Sequence, residues 1–345
     1  DRFLPQTTVE MAISKRDSSV LAPLLLAGIN SKAVDSFKQQ NRDLQLAMDA
    51  RLQTGLQQAI ALDDSLRNNR VSVVIMEDST GDVLASAMHP LPPVDNWELM
   101  NLSRREQNNL AYWITLRDLG FTYATQPGST VKIATALAAF NKLGVSAANK
   151  SYLVRQQDRI RISGPEPDQT GTINMRQAIV NSNNVYFIRL ANEERLQEEM
   201  GTLYMQTGMF LRGVGGYFYE TNPDNVYQQD KWREQWRKTE FRSLASYDKN
   251  NIRASRGRGV SGMSWGQGEL IAAPAAVARM AAGISNKGVL MPNRYVLKIS
   301  DSTLGLEEGW RIAKDTQYTN LLTSYMKQQS ANKRTALGIW VAGKT

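Results

Sequence analysis

Gln126-Pro127-Gly128-Ser129-Thr130-Val131-Lys132 is the stretch on which the fold turns. Pro127-Gly128 breaks the chain, and residues 131–143 that follow are rich in Ala and Leu. A breaker followed by unbroken apolar sequence predicts a buried helix that opens at Ser129, as N-cap or first-turn residue. On a helix, positions i and i+3 share a face, so Lys132 stands beside Ser129. A serine beside a lysine is a nucleophile beside a base when burial and neighbouring positive charge lower the lysine's pKa. The helix N-terminus adds positive potential that favours an oxyanion. S-x-x-K also begins at Ser246, Ser324 and Ser330, each in a polar stretch. Only Ser129 follows a Pro-Gly breaker and opens an apolar helix.

Composition narrows what can activate that serine. The chain has no cysteine, which excludes disulfides, thiolate nucleophiles and cysteine-ligated zinc and suits an exported protein. It has one histidine, His89, so no H-E-x-x-H metal site exists. A Ser-His-Asp triad would have to use His89, which ends a predicted strand in Met88-His89-Pro90 and reads as a residue without a catalytic role. Activation therefore falls to something other than imidazole. Neither a cofactor nor a metal is expected.

Two further polar elements have chemistry to offer. Ser182-Asn183-Asn184 lies between helical stretches at 175–181 and 185–196. The Ser182 hydroxyl can relay a proton between Lys132 and a leaving group, and the Asn184 amide can hold a substrate amide through two hydrogen bonds. Ser330-Ala331-Asn332 repeats the pattern in a polar setting. Lys344-Thr345 follows an apolar strand predicted over 335–342. A lysine and a hydroxyl there can bind a carboxylate, while the strand edge pairs with an extended peptide. Lys238-Thr239 is the competing match, in a polar helical context.

Around these elements the chain alternates between strand and helix patterns. Residues 44–62 carry apolar residues at helical spacing, from Leu44 to Ile60. Strands at 71–77 and 83–88, joined by Asp78-Ser79-Thr80-Gly81-Asp82, predict an antiparallel hairpin. A loop with Pro165, Glu166 and Pro167 precedes the second element, and glycine-rich stretches recur at 213–216 and 257–268. An alanine-rich helix over 274–284 and strands over 289–299 and 335–342 complete the reading. The fold class is α/β of the α+β kind: an antiparallel central sheet built from both ends of the chain, flanked by helices, with a helical subdomain inserted. Residues 1–43 read as a linker or remnant of a non-catalytic domain, and 44–345 as the main domain.

The chain has 345 residues, 42% of them hydrophobic and 21% charged, which suits a globular domain with a sizeable core. The longest apolar run, 20–29, is interrupted by Pro23 and falls short of the ~20 residues a bilayer span needs. Because the chain opens at Asp1, it reads as a fragment, with any membrane anchor upstream. The formal charge is +8, with much of the excess in 231–258. Trp232 and Trp236, at i and i+4, share a helical face there that packs on the body. No RNA-binding signature or phosphate loop accompanies the charge, so no nucleic-acid partner is expected.

The order S-x-x-K at Ser129, S-x-N at Ser182 and K-T at Lys344 resembles that of penicillin-binding proteins and the related serine β-lactamases. The hairpin at 78–85, the nucleophile loop at 126–132, Val185-Tyr186-Phe187-Ile188, and Trp265-Gly266-Gln267-Gly268-Glu269-Leu270 with Ala273-Pro274 and Asn286-Lys287-Gly288-Val289 are similar to the family's transpeptidase domain. The likeness runs from about residue 44 to 345. It implies a penicillin-binding-protein-like transpeptidase fold and a serine D-Ala-D-Ala transpeptidase. Ser129, Lys132 and Ser182 would be catalytic; Asn184, Lys344 and Thr345 would bind the donor peptide. The implied partners are peptidoglycan stem peptides, β-lactam antibiotics, a membrane glycosyltransferase and other cell-wall synthesis proteins. The implied place is the periplasm or the outer face of the bacterial inner membrane. The sequence departs from the family at its end: the glycine of K-T-G, and the strands and helix that normally follow, lie beyond Thr345. By the resemblance, one oxyanion-hole amide comes from just past that glycine, so the chain as given is expected to hold an incomplete site and to be C-terminally incomplete. Three other readings stay open: a D-Ala carboxypeptidase, a β-lactam-sensing or β-lactamase-like domain, and a non-catalytic scaffold. Against a class A lactamase, Glu166 sits before the S-x-N, the wrong position for activating a deacylating water.

Overall fold

The computed structural model describes residues 43–66, 69–91, 118–160, 169–211, 247–257, 259–329 and 341–344. The loop with Glu166, the tryptophans at 232 and 236, Lys238-Thr239, Ser330-Ala331-Asn332, residues 335–340 of the last predicted strand and Thr345 lie outside them, as does the segment 1–42.

In chain order the first elements are β1 (Leu44–Leu46), α1 (Ala50–Leu62), β2 (Val71–Met76) and β3 (Val83–His89). The helical spacing from Leu44 overshoots, because the side chain of Asp49 accepts from the backbone of Arg51 and Leu52 and so caps α1 at Ala50. Upstream of that cap the chain is extended, and β1 pairs antiparallel with a later strand. The hairpin β2–β3 forms in the predicted place, with Val71 opposite His89. One of its edges is sealed by α1. Gln53 donates from Nε2 to Ser86 O at 2.9 Å and accepts from Ser86 N at 2.8 Å. One turn on, Gln57 does the same with Met88, at 2.7 and 3.1 Å. Two side-chain amides thus stand in for a neighbouring strand and close an edge that would otherwise expose unpaired backbone.

The turn of this hairpin is tied to the far end of the chain. Gly81 has φ of 76°, and a Cβ there would lie 1.9 Å from Pro292 O. Arg294 Nη2 reaches Asp82 Oδ2 at 2.9 Å, and its Nε bonds Oδ1. That guanidinium holds the Asp82 carboxyl below the usual carboxylate range. Gly81→Ala should therefore lower stability by roughly 2–4 kcal/mol, combining left-handed strain with overpacking. It would appear as a lower urea midpoint at unchanged m.

The middle of the chain is mostly helical: α2 (Lys132–Leu143), α3 (Met175–Val180), α4 (Asn184–Glu193), α5 (Gln197–Thr207) and α6 (Gly259–Met263), with the short pairs β4 (Ser151–Val154)–β5 (Gly171–Asn174) and β6 (Phe210–Leu211)–β7 (Leu270–Ile271). Then come α7 (Pro274–Ser285), β8 (Val289–Leu290), β9 (Val296–Ile299), β10 (Ser302–Thr303), β11 (Trp310–Arg311) and α8 (Thr316–Gln329). The single strand expected over 289–299 is two. Pro292 interrupts it, β8 pairs with β11, and β9 pairs with β1 and β10. All named strand pairs are antiparallel. This is the expected combination of helices and antiparallel sheet, divided among the described residues into one three-stranded and four two-stranded sheets.

The core is built on α2. Every residue from Lys132 to Phe140 is buried, as befits a helix surrounded on all sides. It packs against α3, α4, α5 and α8. Phe140 stacks on Tyr318 of α8 with ring centroids 5.4 Å apart, and the Asn141 amide bridges Ile312 O and Lys314 N at 2.7 and 3.0 Å. The outer edge of β2 faces a cleft of about 1110 Å³, whose walls include Val74, Ile133, Met280, Met326 and residues 341–344. Val341 and Ala342, expected at the end of a strand, are in no strand. Among the described residues no helix is long and apolar enough to cross a membrane.

Candidate active site

Ser129 does not open the α-helix as predicted. It sits in a 3-10 turn, Gly128–Val131, and α2 begins at Lys132. The tighter turn still places residue i+3 against residue i. Lys132 Nζ lies 2.9 Å from Ser129 Oγ. Lys132 is fully buried, at 0% exposure, and is the largest charged-type side chain so buried among the described residues. The rival motifs differ on this point: Lys249 and Lys327 are exposed, and Ser324 Oγ donates to Leu321 O within α8.

Burying a lysine is costly unless its polar head is hydrogen-bonded. The contacts of Lys132 Nζ include four oxygens: Ser129 Oγ at 2.9 Å, Ser182 O at 2.6 Å, Ser182 Oγ at 3.0 Å and Asn184 Oδ1 at 2.6 Å. Phe187, from the first turn of α4, turns its ring towards the same nitrogen at 5.9 Å from the centroid. Two of the four oxygens are carbonyls, which only accept. The other two are hydroxyls, which also donate. Both hydroxyls therefore lie within proton-transfer distance of the buried amine.

Ser182 reaches the site from the break between α3 and α4. Its φ of 54° is in the left-handed region, a strain of ~1–3 kcal/mol for a non-glycine residue that surrounding contacts must offset. Asn183 supplies some of them. It is fully buried, its Oδ1 caps α4 by accepting from Tyr186 N at 2.9 Å, and its Nδ2 donates to Gln169 O at 3.0 Å. In the sequence Asn183 is only the variable position of S-x-N; its N-cap place before an apolar helix is the signal that marks it. Asn184, first residue of α4, turns its carbonyl oxygen to Lys132, while its amide nitrogen lies 3.5 Å from Ile160 O.

Lys344 completes the group. Its Nζ donates to Ser182 Oγ at 2.8 Å across 162 residues of sequence. Burial pushes its pKa down from 10.5 to about 8. The Ser182 hydroxyl thus stands between two lysines. Of the six residues singled out from sequence, Ser129, Lys132, Ser182, Asn184 and Lys344 come together, and Thr345 lies outside the described residues. His89 closes β3 opposite Val71.

The fold has counterparts among known proteins. The crystal structure of Pseudomonas aeruginosa PBP2 in complex with WCK 5153 superposes with a TM-score of 0.58 at 22% identity, covering 88% of this chain and 67% of that one. PBPA from Mycobacterium tuberculosis gives a TM-score of 0.60 at 18% identity, over 88% of this chain and 68% of that one. The penicillin G acyl-enzyme complex of M. tuberculosis penicillin-binding protein A gives 0.56 at 17% identity, over 91% and 72%. At these identities the likeness is one of fold. The sequence itself matches the family model of the penicillin binding protein transpeptidase domain over residues 71–345, and the chain belongs to that family.

Proposed function

We propose that this domain is a serine D,D-transpeptidase of peptidoglycan that works through an acyl-enzyme on Ser129. The observation that carries the reading is the buried Lys132 amine, in contact with both Ser129 Oγ and Ser182 Oγ. As Ser129 Oγ attacks the carbonyl carbon of the penultimate D-Ala of a stem peptide, its proton passes to Lys132 Nζ. The carbonyl oxygen becomes an oxyanion, stabilised on one side by the Ser129 backbone N–H. When the C–N bond breaks, the departing D-Ala nitrogen takes a proton from Ser182 Oγ, which is resupplied by Lys132. Lys344 holds the D-Ala carboxylate, and Asn184 the peptide backbone. An amine from a second stem peptide then attacks the ester, loses its proton through the same relay, and releases the crosslinked product and free Ser129.

A β-lactam ring offers the same acyl carbon without a leaving group that departs, so it is expected to remain on Ser129. The penicillin G acyl-enzyme form of one similar structure supports that expectation. A domain acting on these substrates would work in the periplasm or on the outer face of the bacterial inner membrane, with a membrane glycosyltransferase supplying the strands. To test this, the protein would be given a donor peptide ending in D-Ala-D-Ala together with an acceptor amine. Crosslinked product is the expected result. Release of D-Ala without crosslinking would instead make the domain a carboxypeptidase. Absence of both reactions and of β-lactam binding would leave a scaffold.

A further inference from the structure

We infer that the segment 263–272 is a clamp that sets the position of Ser129 relative to Lys132, with Gly266 and Thr135 as positioning residues; this rests on the reading of Ser129 as the nucleophile. The segment begins at the C-terminal end of α6, where backbone carbonyls have no partners within the helix. Gly266 N donates to Met263 O at 3.1 Å, and two buried hydroxyls add bonds from other helices. Tyr204 of α5 donates to Met263 O at 3.0 Å, and Thr135 of α2 donates to Ser264 O at 2.8 Å. Thr135 lies one turn beyond Lys132, so this bond ties the clamp to the helix that carries the base.

The chain then turns at Gly266, with φ of 87°, and runs back along the residues that precede Ser129. Gly128 N donates to Gly266 O at 3.0 Å. Gln126 Nε2 donates to Gly268 O at 2.9 Å. Thr125 and Ala272 exchange a pair of backbone bonds at 3.1 and 2.8 Å. The nucleophile loop is therefore held at three successive points on one side of Ser129, and α2 at one point on the other. At the closest point there is no slack. A Cβ on Gly266 would lie 1.8 Å from Gly128 O, 2.4 Å from its carbonyl carbon and 2.6 Å from its nitrogen. Those are backbone atoms, which cannot step aside as a side-chain tip would. The residue they belong to is joined directly to Ser129, so any relief of the clash moves the nucleophile and its oxyanion-binding N–H. At Gly128 itself nothing lies within 4 Å of a Cβ position, and only its left-handed φ of 60° favours glycine. The steric demand is at Gly266.

The test is the rate of acylation by fluorescent penicillin, separated into the limiting rate k2 and the half-saturation constant, for the wild type and for Gly266→Ala, Thr135→Val and Thr135→Ser. Displacing a reacting atom by ~1 Å costs about 100-fold in rate, and that loss in k2 with an unchanged half-saturation constant is expected for Gly266→Ala. Thr135→Val removes one hydroxyl at constant shape and should lower k2 about tenfold, the equivalent of one hydrogen bond; Thr135→Ser restores the hydroxyl and should restore k2. Wild-type k2 in a folded Gly266→Ala protein would overturn the clamp, and so would a Thr135→Ser protein as slow as Thr135→Val. If Gly266→Ala does not fold, the Thr135 pair decides. If the wild type, extended past Thr345 through the K-T-G strand, is not acylated, the reading of Ser129 fails, and the clamp is judged separately by hydrogen exchange over residues 125–134. Protection lost in Thr135→Val and regained in Thr135→Ser would support it; equal protection in all three proteins would overturn it.

Discussion

Replacing Lys132 by methionine should lower the rate of β-lactam acylation by about 10³-fold while the protein stays folded. General-base catalysis contributes ~10²–10⁴ in rate, and no other basic group takes the Ser129 proton in the mechanism proposed above. Methionine is close to lysine in length and lacks the charge, so it can occupy the same space against Phe187. Replacing both partners of a buried polar contact by apolar groups can be close to neutral, but removing one leaves its acceptors unsatisfied at a cost of ~1–3 kcal/mol. Here the exchange leaves Ser182 O and Asn184 Oδ1 without the donor they share at 2.6 Å, so a clear fall in melting temperature is expected beside the large fall in rate. Lys132→Arg should do no better in catalysis, since a guanidinium stays protonated and cannot act as the base. It should cost more in stability, because the site at 0% exposure has no room for the fork. Stopped-flow acylation and thermal unfolding of the two variants separate these outcomes. A methionine variant acylated within tenfold of wild type would remove Lys132 from the mechanism.

The second large effect concerns Lys344 and pH. Burial lowers its pKa to about 8, because desolvation disfavours the ammonium. Below that pH Lys344 carries the charge that pairs with a substrate carboxylate; above it the charge is lost. The ratio of k2 to the half-saturation constant reports groups of the free enzyme. For a carboxylate-bearing β-lactam it should therefore fall on the alkaline side with an apparent pKa of about 8, approaching tenfold for each further pH unit. Lys344→Ala should lower this ratio by roughly 100-fold at neutral pH, as loss of a charge-assisted contact of ~1.5–3 kcal/mol implies, and should erase the alkaline limb. The linkage to stability has the opposite sense. The unfolded chain keeps Lys344 protonated up to its ordinary pKa of 10.5 while the fold releases the proton from about 8, so this residue's contribution to stability rises with pH across that window. The two pH dependences can be measured on the same protein, by acylation kinetics and by urea unfolding. An alkaline limb that survives in Lys344→Ala would mean that another group carries it.

Local patterns carried much of the fold and of the site. The pairing of Ser129 with Lys132 follows from three-residue spacing on a turn, and it holds although the turn is 3-10, because residues i and i+3 face each other in both geometries. The β2–β3 hairpin and the breaks around Ser182 were legible from turn chemistry. What was not legible depends on contacts between distant residues. Leu44–Leu46 has helical spacing in isolation and becomes a strand because β9 is there to pair with it. Gln53 and Gln57 look like ordinary exposed helix positions until their amides meet the backbone of β3. The strand pattern over 289–299 gave too little weight to Pro292, at the point where the chain leaves one sheet for another. Gly266 resembled a family loop, but nothing near it in the sequence says that Gly128 lies against it. Ser182 was recognised by type and order, whereas its left-handed backbone and its place between two lysines required the tertiary structure.

The most direct test is to incubate the protein, extended past Thr345 through the K-T-G strand, with fluorescent penicillin and locate the adduct by intact mass and peptide mapping. A single adduct is expected, on the peptide that contains Ser129 and absent from Ser129→Ala. An adduct on another serine, or labelling that persists in Ser129→Ala, would contradict the assignment of the nucleophile.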